Sequence, residues 1–415
     1  MSSEPLVPSP QSRVPNTVLI AGGGTGGHLI PALVIAEAIQ KQYPDWRVIL
    51  AGAKRGLEAR LLPERQFAYY LLPSEPIYRR QWWKNLRWPV LGVKLIREVH
   101  RLLDTVKPRV VIGTGGYASG PVVWLAARRG ISTAMLELNA YPGLAVRRLS
   151  RRVNEIWLGS PEARTLLRPG KNTRIVDTGT PIAPPDPSIR AAARERFGVS
   201  GLGAAEPPRR RADQSEGAEP PSRRADQSEG AEPPSRRDVA RKPVILIVGG
   251  SQGAIPINRA VASWVESGAT SPYQVIWVTG RGSYSDFKRY HRPPGVQVFD
   301  FLDPLAPGYA VADLAMTRAG MMTIAELTAW GIPSILVPLP TAAADHQTAN
   351  ARAMEQAGAS KVLLQADLSG DRIDREVRDL FDHAEKLASM REATQKRAKS
   401  DALASILTRF GILSG

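Results

Sequence analysis

The 415-residue chain has no cysteine. That excludes a disulfide framework, cysteine-ligated zinc, iron–sulfur clusters and thiol catalysis. It fits a reducing compartment. No apolar run approaches the roughly 18 to 20 residues of a membrane-spanning helix. Met1 to Asn16 holds prolines and serines, not an apolar block of signal-peptide length. Residues 1–16 are expected to form a disordered tail on a cytoplasmic protein that can still touch a membrane. Asp-x-Asp, a common way to hold a metal on a diphosphate, is absent. Acidic residues are scarce where basic ones gather. Between Ile77 and Arg152, fifteen lysines and arginines face only Glu98, Asp104 and Glu137, so this stretch carries most of the net charge of +16. Such a field attracts phosphates on nucleic acid, lipid head groups or a soluble substrate, and charge alone does not choose.

What is present alternates short apolar runs with helical patterns. Thr17–Ala21 reads as a buried strand, followed by a glycine loop and a helix expected to start near Pro31, with Leu29, Leu33, Ala36 and Ile39 recurring along it. Arg47–Ala51, Arg109–Gly113 and Thr133–Leu136 read as further strands. The second half repeats the plan. Pro243–Val248 is a strand, Gly249–Gly253 a loop, and Ile257, Ala260, Val261, Trp264 and Val265 line a helix face that Gly268 closes. The expected class is therefore α/β, with two Rossmann-like domains in tandem and a cleft between them. The boundaries read as 17–182 and 243–390, with a proline-rich join at Thr180 to Pro187 and a C-terminal helix in 391–415 that could pack back on the first domain. Within 200–242, the thirteen residues from Arg210 to Ser222 recur unchanged from Arg223 to Ser235. They are polar and charge-balanced, cannot offset ordering entropy, and are expected to be disordered.

Four motifs can carry chemistry. Gly22 to His28 contains G-x-G-x-x-G between a strand and a helix, a loop that aims amide N–H groups at a diphosphate. A dinucleotide-binding site would want a carboxylate closing the second strand. That strand ends Ala51-Gly52-Ala53-Lys54-Arg55, which counts against NAD and leaves NADP open. His28, at a helix N-terminus, is kept neutral by the dipole and suits general-base work. It could equally be a capping or packing histidine. Gly113 to Gly120 is a second glycine loop. Arg318 to Glu326 opens a helix whose first amides, with the Arg318 cation beside them, could stabilise leaving-group charge, and whose Glu326 could accept ribose hydroxyls. A plain helix cap fits this run as well. Asp345-His346-Gln347 and Asn350 suit sugar hydroxyls or an ordinary polar loop.

Taken together these segments resemble the MurG family of glycosyltransferases. The resemblance covers the chain except the tail and the repeat. It rests on Gly-Gly-Thr-Gly-Gly-His (23–28), Gly-Gly-Tyr-x-Ser-Gly-Pro (115–121), Gly-Gly-Ser-Gln-Gly-Ala (249–254), Arg-x-Gly-x-x-Thr-x-x-Glu (318–326) and Asp-His-Gln-Thr-x-Asn-Ala (345–351). It implies a GT-B fold and metal-independent, inverting transfer of N-acetylglucosamine from UDP-N-acetylglucosamine. The acceptor would be the 4-hydroxyl of undecaprenyl-pyrophosphoryl-muramyl-pentapeptide, on the cytoplasmic face of the inner membrane. It implies His28 as base, with Thr25, Gly26, Gly27 and Asn139 around the sugar and acceptor, and Tyr117 on the acceptor side. Ser251 and the turn Met321, Met322 and Thr323, continuing through Ile324 and Ala325, would hold the diphosphate beside Arg318. Leu302 would lie by the uracil, Glu326 on the ribose and Gln347 on the sugar. Two positions depart from the pattern. Ala183 stands where the family has a donor-binding arginine, and Leu138 replaces the glutamine of Glu-Gln-Asn.

The basic stretch then reads as a membrane contact. Leu91, Leu95, Val99, Leu102 and Leu103 form a core-facing stripe, and Lys94, Arg97 and Arg101 a basic one. Trp82, Trp83 and Trp88, set among Arg79, Arg80, Lys84 and Arg87, suit an anionic bilayer surface. No nucleic-acid reader motif is present, so a basic nucleic-acid-binding protein is the rival of another class, and no nucleic-acid partner is expected. A glycosyltransferase for another lipid or natural-product acceptor is the rival enzyme.

Overall fold

A computed structural model describes residues 16–24, 26–55, 58–75, 82–199, 241–250 and 253–415. The expected tail (1–15), the repeat insert (200–240), Thr25, Ser251, Arg79 and Arg80 lie outside the described residues, as does the side chain of Trp82.

Two parallel sheets carry the chain. The first has seven strands, β1 (Asn16–Gly22), β2 (Trp46–Ala53), β3 (Ala68–Leu72), β4 (Val110–Gly115), β5 (Ser132–Glu137), β6 (Glu155–Leu158) and β7 (Arg174–Val176), in the order 3-2-1-4-5-6-7. The second has six, β8 (Val244–Val248), β9 (Gln274–Val278), β10 (Val296–Phe299), β11 (Leu314–Thr317), β12 (Ser334–Leu336) and β13 (Ser360–Val362), in the order 10-9-8-11-12-13. The central strands are apolar on both faces because helices cover both. Val244 to Val248 is buried throughout. In each sheet the strand order reverses beside the first strand, between β1 and β4 and between β8 and β11. Such a reversal opens a crevice at the carboxyl ends of the strands. The sequence places its glycine loops and the Arg318–Glu326 turn at these two reversals.

The first domain has helices α1 (Gly26–Gln42), α2 (Glu58–Leu61), α3 (Trp88–Val106), α4 (Gly116–Arg128) and α5 (Leu144–Leu149). The second has α6 (Arg190–Phe197), α7 (Ile255–Glu266), α8 (Tyr284–Phe287), α9 (Ala306–Val311), α10 (Met321–Trp330), α11 (His346–Gln356), α12 (Gly370–Phe381) and α13 (Ala384–Lys396). A last helix, α14 (Ala402–Ser414), completes the chain.

Three boundaries differ from the sequence reading. Helix α1 starts at Gly26, so Pro31 lies inside it. Proline there leaves the Gly27 carbonyl without its i+4 donor, yet Leu29, Pro31, Ala32 and Leu33 are buried, and their packing holds the helix through the defect. Helix α6 lies in the stretch 183–199, which pattern assigned to neither domain. It packs on the second core through Ala193 and Phe197, and the Phe197 carbonyl accepts from Gln297 Nε2 at 2.6 Å. A break at residue 390 would fall within α13. The chain returns only after Lys396, and α14 then seals the first domain. Ile406, Leu407 and Phe410 join the cluster of Val18, Ile20 and Trp157. The Phe410 ring meets Tyr43 and Trp46 edge-on, with centroids at 5.1 and 4.9 Å.

Candidate functional site

The two glycine loops of the first domain interlock at the ends of β1 and β4. Gly116 has φ +80°, and a Cβ there would overlap the Gly23 carbonyl. Only glycine lets the backbones approach so closely. A Cβ at Gly115 would likewise fall 2.5 Å from Nδ1 of His28. That space is occupied because His28 Nδ1–H donates to the Thr114 carbonyl at 3.1 Å, while Thr114 Oγ1 donates to the His28 carbonyl at 2.8 Å. A carbonyl can only accept, so the bond assigns the proton to Nδ1 and leaves Nε2 with its lone pair. Burial lowers the His28 pKa; the Thr114 carbonyl opposes this, and His346 of the second domain adds to it. The group is a neutral imidazole with a fixed tautomer, the state a general base requires.

A carboxylate lies beneath the loop. Glu58 of α2 is fully buried and accepts the Gly24 N–H. Burial raises its pKa. Pattern reading passed over it, because a Glu in a short helix after β2 gives no signal until the loop is folded onto it. Glu137 stands out in the sequence only as one of the few carboxylates of the basic stretch and as part of the Glu-Leu-Asn run. It is 4% exposed and accepts from Asn139 N–H (2.9 Å), Asn139 Nδ2 (3.1 Å) and Gly143 N–H (2.6 Å). It thereby sets the loop that carries Asn139. The ring of Tyr117 stands against Gly24.

The second domain answers with α10. Its first internal bond runs from Ile324 N–H to the Gly320 carbonyl, and no side chain caps it. The amides of Met321, Met322 and Thr323 are therefore open at the positive end of the helix, a ready anion site. The side chains of Met321 and Met322 pack against the first-domain core, so this end faces the other half of the cleft. Ile324 is buried in the second core, and Ala325 is half-buried. Glu326 accepts the Tyr309 hydroxyl on Oε2 at 2.8 Å. Burial raises the carboxyl pKa, with Tyr309 pulling the other way. Tyr309 thus fixes one oxygen and leaves the other for a ligand; sequence offered no signal for this pairing. Gln347 Oε1 accepts from Leu339 N–H at 3.0 Å, which leaves its amide N–H₂ to donate.

Three of the residues read from the sequence have buried side chains. Arg318 is 9% exposed, and its guanidinium donates to the Val337 and Pro338 carbonyls at 3.2 Å and to Gln365 Oε1 at 2.6 Å. It braces the loop after β12 rather than lining the diphosphate. The side chain of Leu302 is 7% exposed and belongs to the core; the half-exposed ring beside it is Phe301, with the Arg281 guanidinium 4.6 Å from its centroid. Asn350, whose sequence setting suits sugar hydroxyls or an ordinary polar loop, is 1% exposed and bonded across the domains.

On the outer face of the first domain, α3 buries Leu95, Val99, Leu102 and Leu103 as its pattern predicts, with Leu91 half-buried. Periodicity did not separate out a further apolar row. Leu86, Val90 and Val93 are 73, 75 and 64% exposed, and Trp83 is 55% exposed. Trp88 is half-buried at the head of the helix, and Arg87, Lys94, Arg97 and Arg101 are exposed around the row.

Residues 18–158 match the glycosyltransferase family 28 N-terminal domain, and residues 244–406 match the family's C-terminal domain. The chain belongs to glycosyltransferase family 28. Family members of similar sequence include a UDP-N-acetylglucosamine–N-acetylmuramyl-(pentapeptide) pyrophosphoryl-undecaprenol N-acetylglucosamine transferase from Carboxydothermus hydrogenoformans. The two are 34% identical over 393 residues, 94% of this chain and 95% of that one. A protein of the same name from Salinibacter ruber is 34% identical over 401 residues, 95% of this chain and 96% of that one. Among solved structures, MurG of Acinetobacter baumannii superposes with a TM-score of 0.69 at 24% identity, covering 96% of this chain and all of that one. The calicheamicin glycosyltransferase CalG4 superposes at 0.59 and 15% identity over 97% and 98% of the chains. These likenesses show the GT-B fold, two Rossmann-like domains facing across a cleft.

Proposed function

We propose that this family 28 enzyme transfers N-acetylglucosamine from UDP-N-acetylglucosamine to the 4-hydroxyl of an N-acetylmuramyl-pentapeptide linked through pyrophosphate to undecaprenol. The observation that carries the reading is 34% identity, over nearly the full length of both chains, to relatives bearing that activity in their names. The site chemistry supports it. His28 Nε2 takes the proton of the acceptor hydroxyl, and the oxygen bonds to the anomeric carbon from the face opposite UDP. The anomeric carbon–oxygen bond to UDP breaks and its electron pair leaves with the diphosphate, so configuration inverts. The growing negative charge meets the open amides of Met321 to Thr323 rather than Arg318. Glu326 holds the ribose, Gln347 and Asn139 the sugar, and the interlocked glycine loops with Tyr117 receive the acceptor. Thr25 and Ser251 belong to the same reading by resemblance. No metal is required in this scheme; the sequence has no Asp-x-Asp.

The acceptor is a lipid, and no helix among the described residues is long and apolar enough to cross a membrane. The exposed row Trp83, Leu86, Val90 and Val93 within its basic surround supports peripheral attachment to an anionic bilayer at the cytoplasmic face of the plasma membrane. Trp82, Arg79 and Arg80 adjoin this row in sequence. The test is transfer of labelled N-acetylglucosamine to the lipid-linked muramyl acceptor, with and without EDTA. Absence of transfer by folded protein in both, or transfer only to a different lipid or natural-product acceptor, would overturn the reading.

A further inference from the structure

Asn350 and Asn139 form a side-chain hydrogen bond across the cleft. Asn350, on α11 of the second domain, is 1% exposed and makes three hydrogen bonds. Its Oδ1 accepts the Ala140 N–H of the first domain at 2.8 Å. Its Nδ2 donates to Asn139 Oδ1 of the first domain at 3.1 Å, and to the Ala319 carbonyl of its own domain at 3.2 Å. Asn139 is held from the other side by Glu137, which takes one of its Nδ2 hydrogens. One Nδ2 hydrogen and one Oδ1 lone pair of Asn139 then remain for a ligand.

We infer that Asn350 is a cross-domain positioning residue, which orients the Asn139 amide for the sugar or acceptor only when the two domains are closed. The inference rests on the family reading of Asn139. The physical argument is one of satisfaction. Ala140 is 5% exposed and Ala319 fully buried. With the domains together, the Ala140 N–H and the Ala319 carbonyl depend on Asn350; apart, water would serve them. A buried polar group left unpaired costs more than a made bond gains. Asn350 therefore favours the closed arrangement, and does so through the residue that touches substrate. The Ala319 carbonyl lies two residues before α10, whose amides face the diphosphate. The tie thus runs from the acceptor-side loop to the donor-side helix, with Asn350 acting on the ligand only through Asn139.

The test compares Asn350→Ala, Asn350→Asp, Asn139→Ala and the double variant Asn139→Ala/Asn350→Ala with the full-length enzyme. Three quantities are read: kcat for transfer, UDP affinity by titration, and amide hydrogen exchange at Ala140 without substrate. Asn350→Ala is expected to lower kcat about ten- to a hundred-fold, leave UDP affinity unchanged, and speed exchange at Ala140. Asn350→Asp keeps an acceptor for Ala140 but sets a carboxylate oxygen against two oxygens that can only accept at that position. It should be slower than Asn350→Ala. The double variant should be no slower than Asn139→Ala, because both changes break one link. An unchanged kcat, additive losses in the double variant, or a fall in UDP affinity equal to the fall in kcat would overturn the inference. If the unaltered enzyme gave no transfer, the proposed function would fall instead, and exchange at Ala140 would decide the role of Asn350 by itself.

Discussion

His28 shows how a single side chain acquires its role from its neighbours. The Thr114 carbonyl sets its tautomer and burial sets its charge. Its folded pKa lies below the ordinary 6.5, so the imidazole is neutral above that lowered value and can serve as the proposed base there. The acid limb of kcat/KM is expected below pH 6.5, and a limb centred above it would remove His28 as the base. The same shift affects stability. As pH falls through 6.5 the unfolded chain binds a proton that the native site refuses, so stability drops until the lower native pKa is reached. His28→Ala should lower kcat by about 10²- to 10⁴-fold and leave UDP affinity unaltered, as read by single-turnover transfer and titration. Glu326 responds in the opposite sense. Burial raises its pKa above 4.5, so UDP affinity should weaken as pH falls through that raised value. Tyr309→Phe, which frees one carboxylate oxygen, should weaken UDP binding without a comparable loss in kcat.

At the scale of elements, α3 and α14 each have a face that repeat patterns alone do not explain. The outer row of α3 is apolar, exposed and ringed by cations. The pair Val90→Asp and Val93→Asp should abolish sedimentation with anionic liposomes and spare transfer to a soluble acceptor analogue. Equal loss of both would mark the row as part of the folded core. Helix α14 is fastened by Arg409, which pairs with the 4%-exposed Glu155; Glu155 Oε2 also accepts Trp157 Nε1 at 2.8 Å. Removing one partner of a buried ion pair strands the other. Arg409→Ala should therefore cost about 3 to 5 kcal/mol in urea unfolding. Helix existence was legible because apolar residues recur at helical spacing. Helix ends were less so. Pro31 reads as a first-turn residue, and only the packing of Leu29 to Leu33 lets α1 begin upstream of it.

Across the whole molecule, specific contacts join the two domains. Arg397 reaches Glu162 with both Nη atoms, at 2.6 and 3.1 Å, where the chain returns toward the first domain. Asn350 closes the cleft from the catalytic side. Transfer is expected to be unaffected by EDTA, measured on enzyme dialysed against it; a loss restored by a divalent cation would contradict the metal-free scheme.

The sequence by itself determined the two α/β units, the order of the glycine loops and the placing of the candidate motifs at strand ends. These follow from local rules: apolar period, glycine where backbones meet, and open amides at helix starts. It also singled out His28 and the α10 turn as candidates for that chemistry. Only the tertiary structure decided what each polar side chain faces. It turned Arg318 inward to the Val337 and Pro338 carbonyls, buried Asn350 between the domains, and set Glu58 under the glycine loop. The reason is physical. Periodicity reports which face of an element is apolar, whereas the partner of a polar group comes from segments far along the chain and is defined only once they pack.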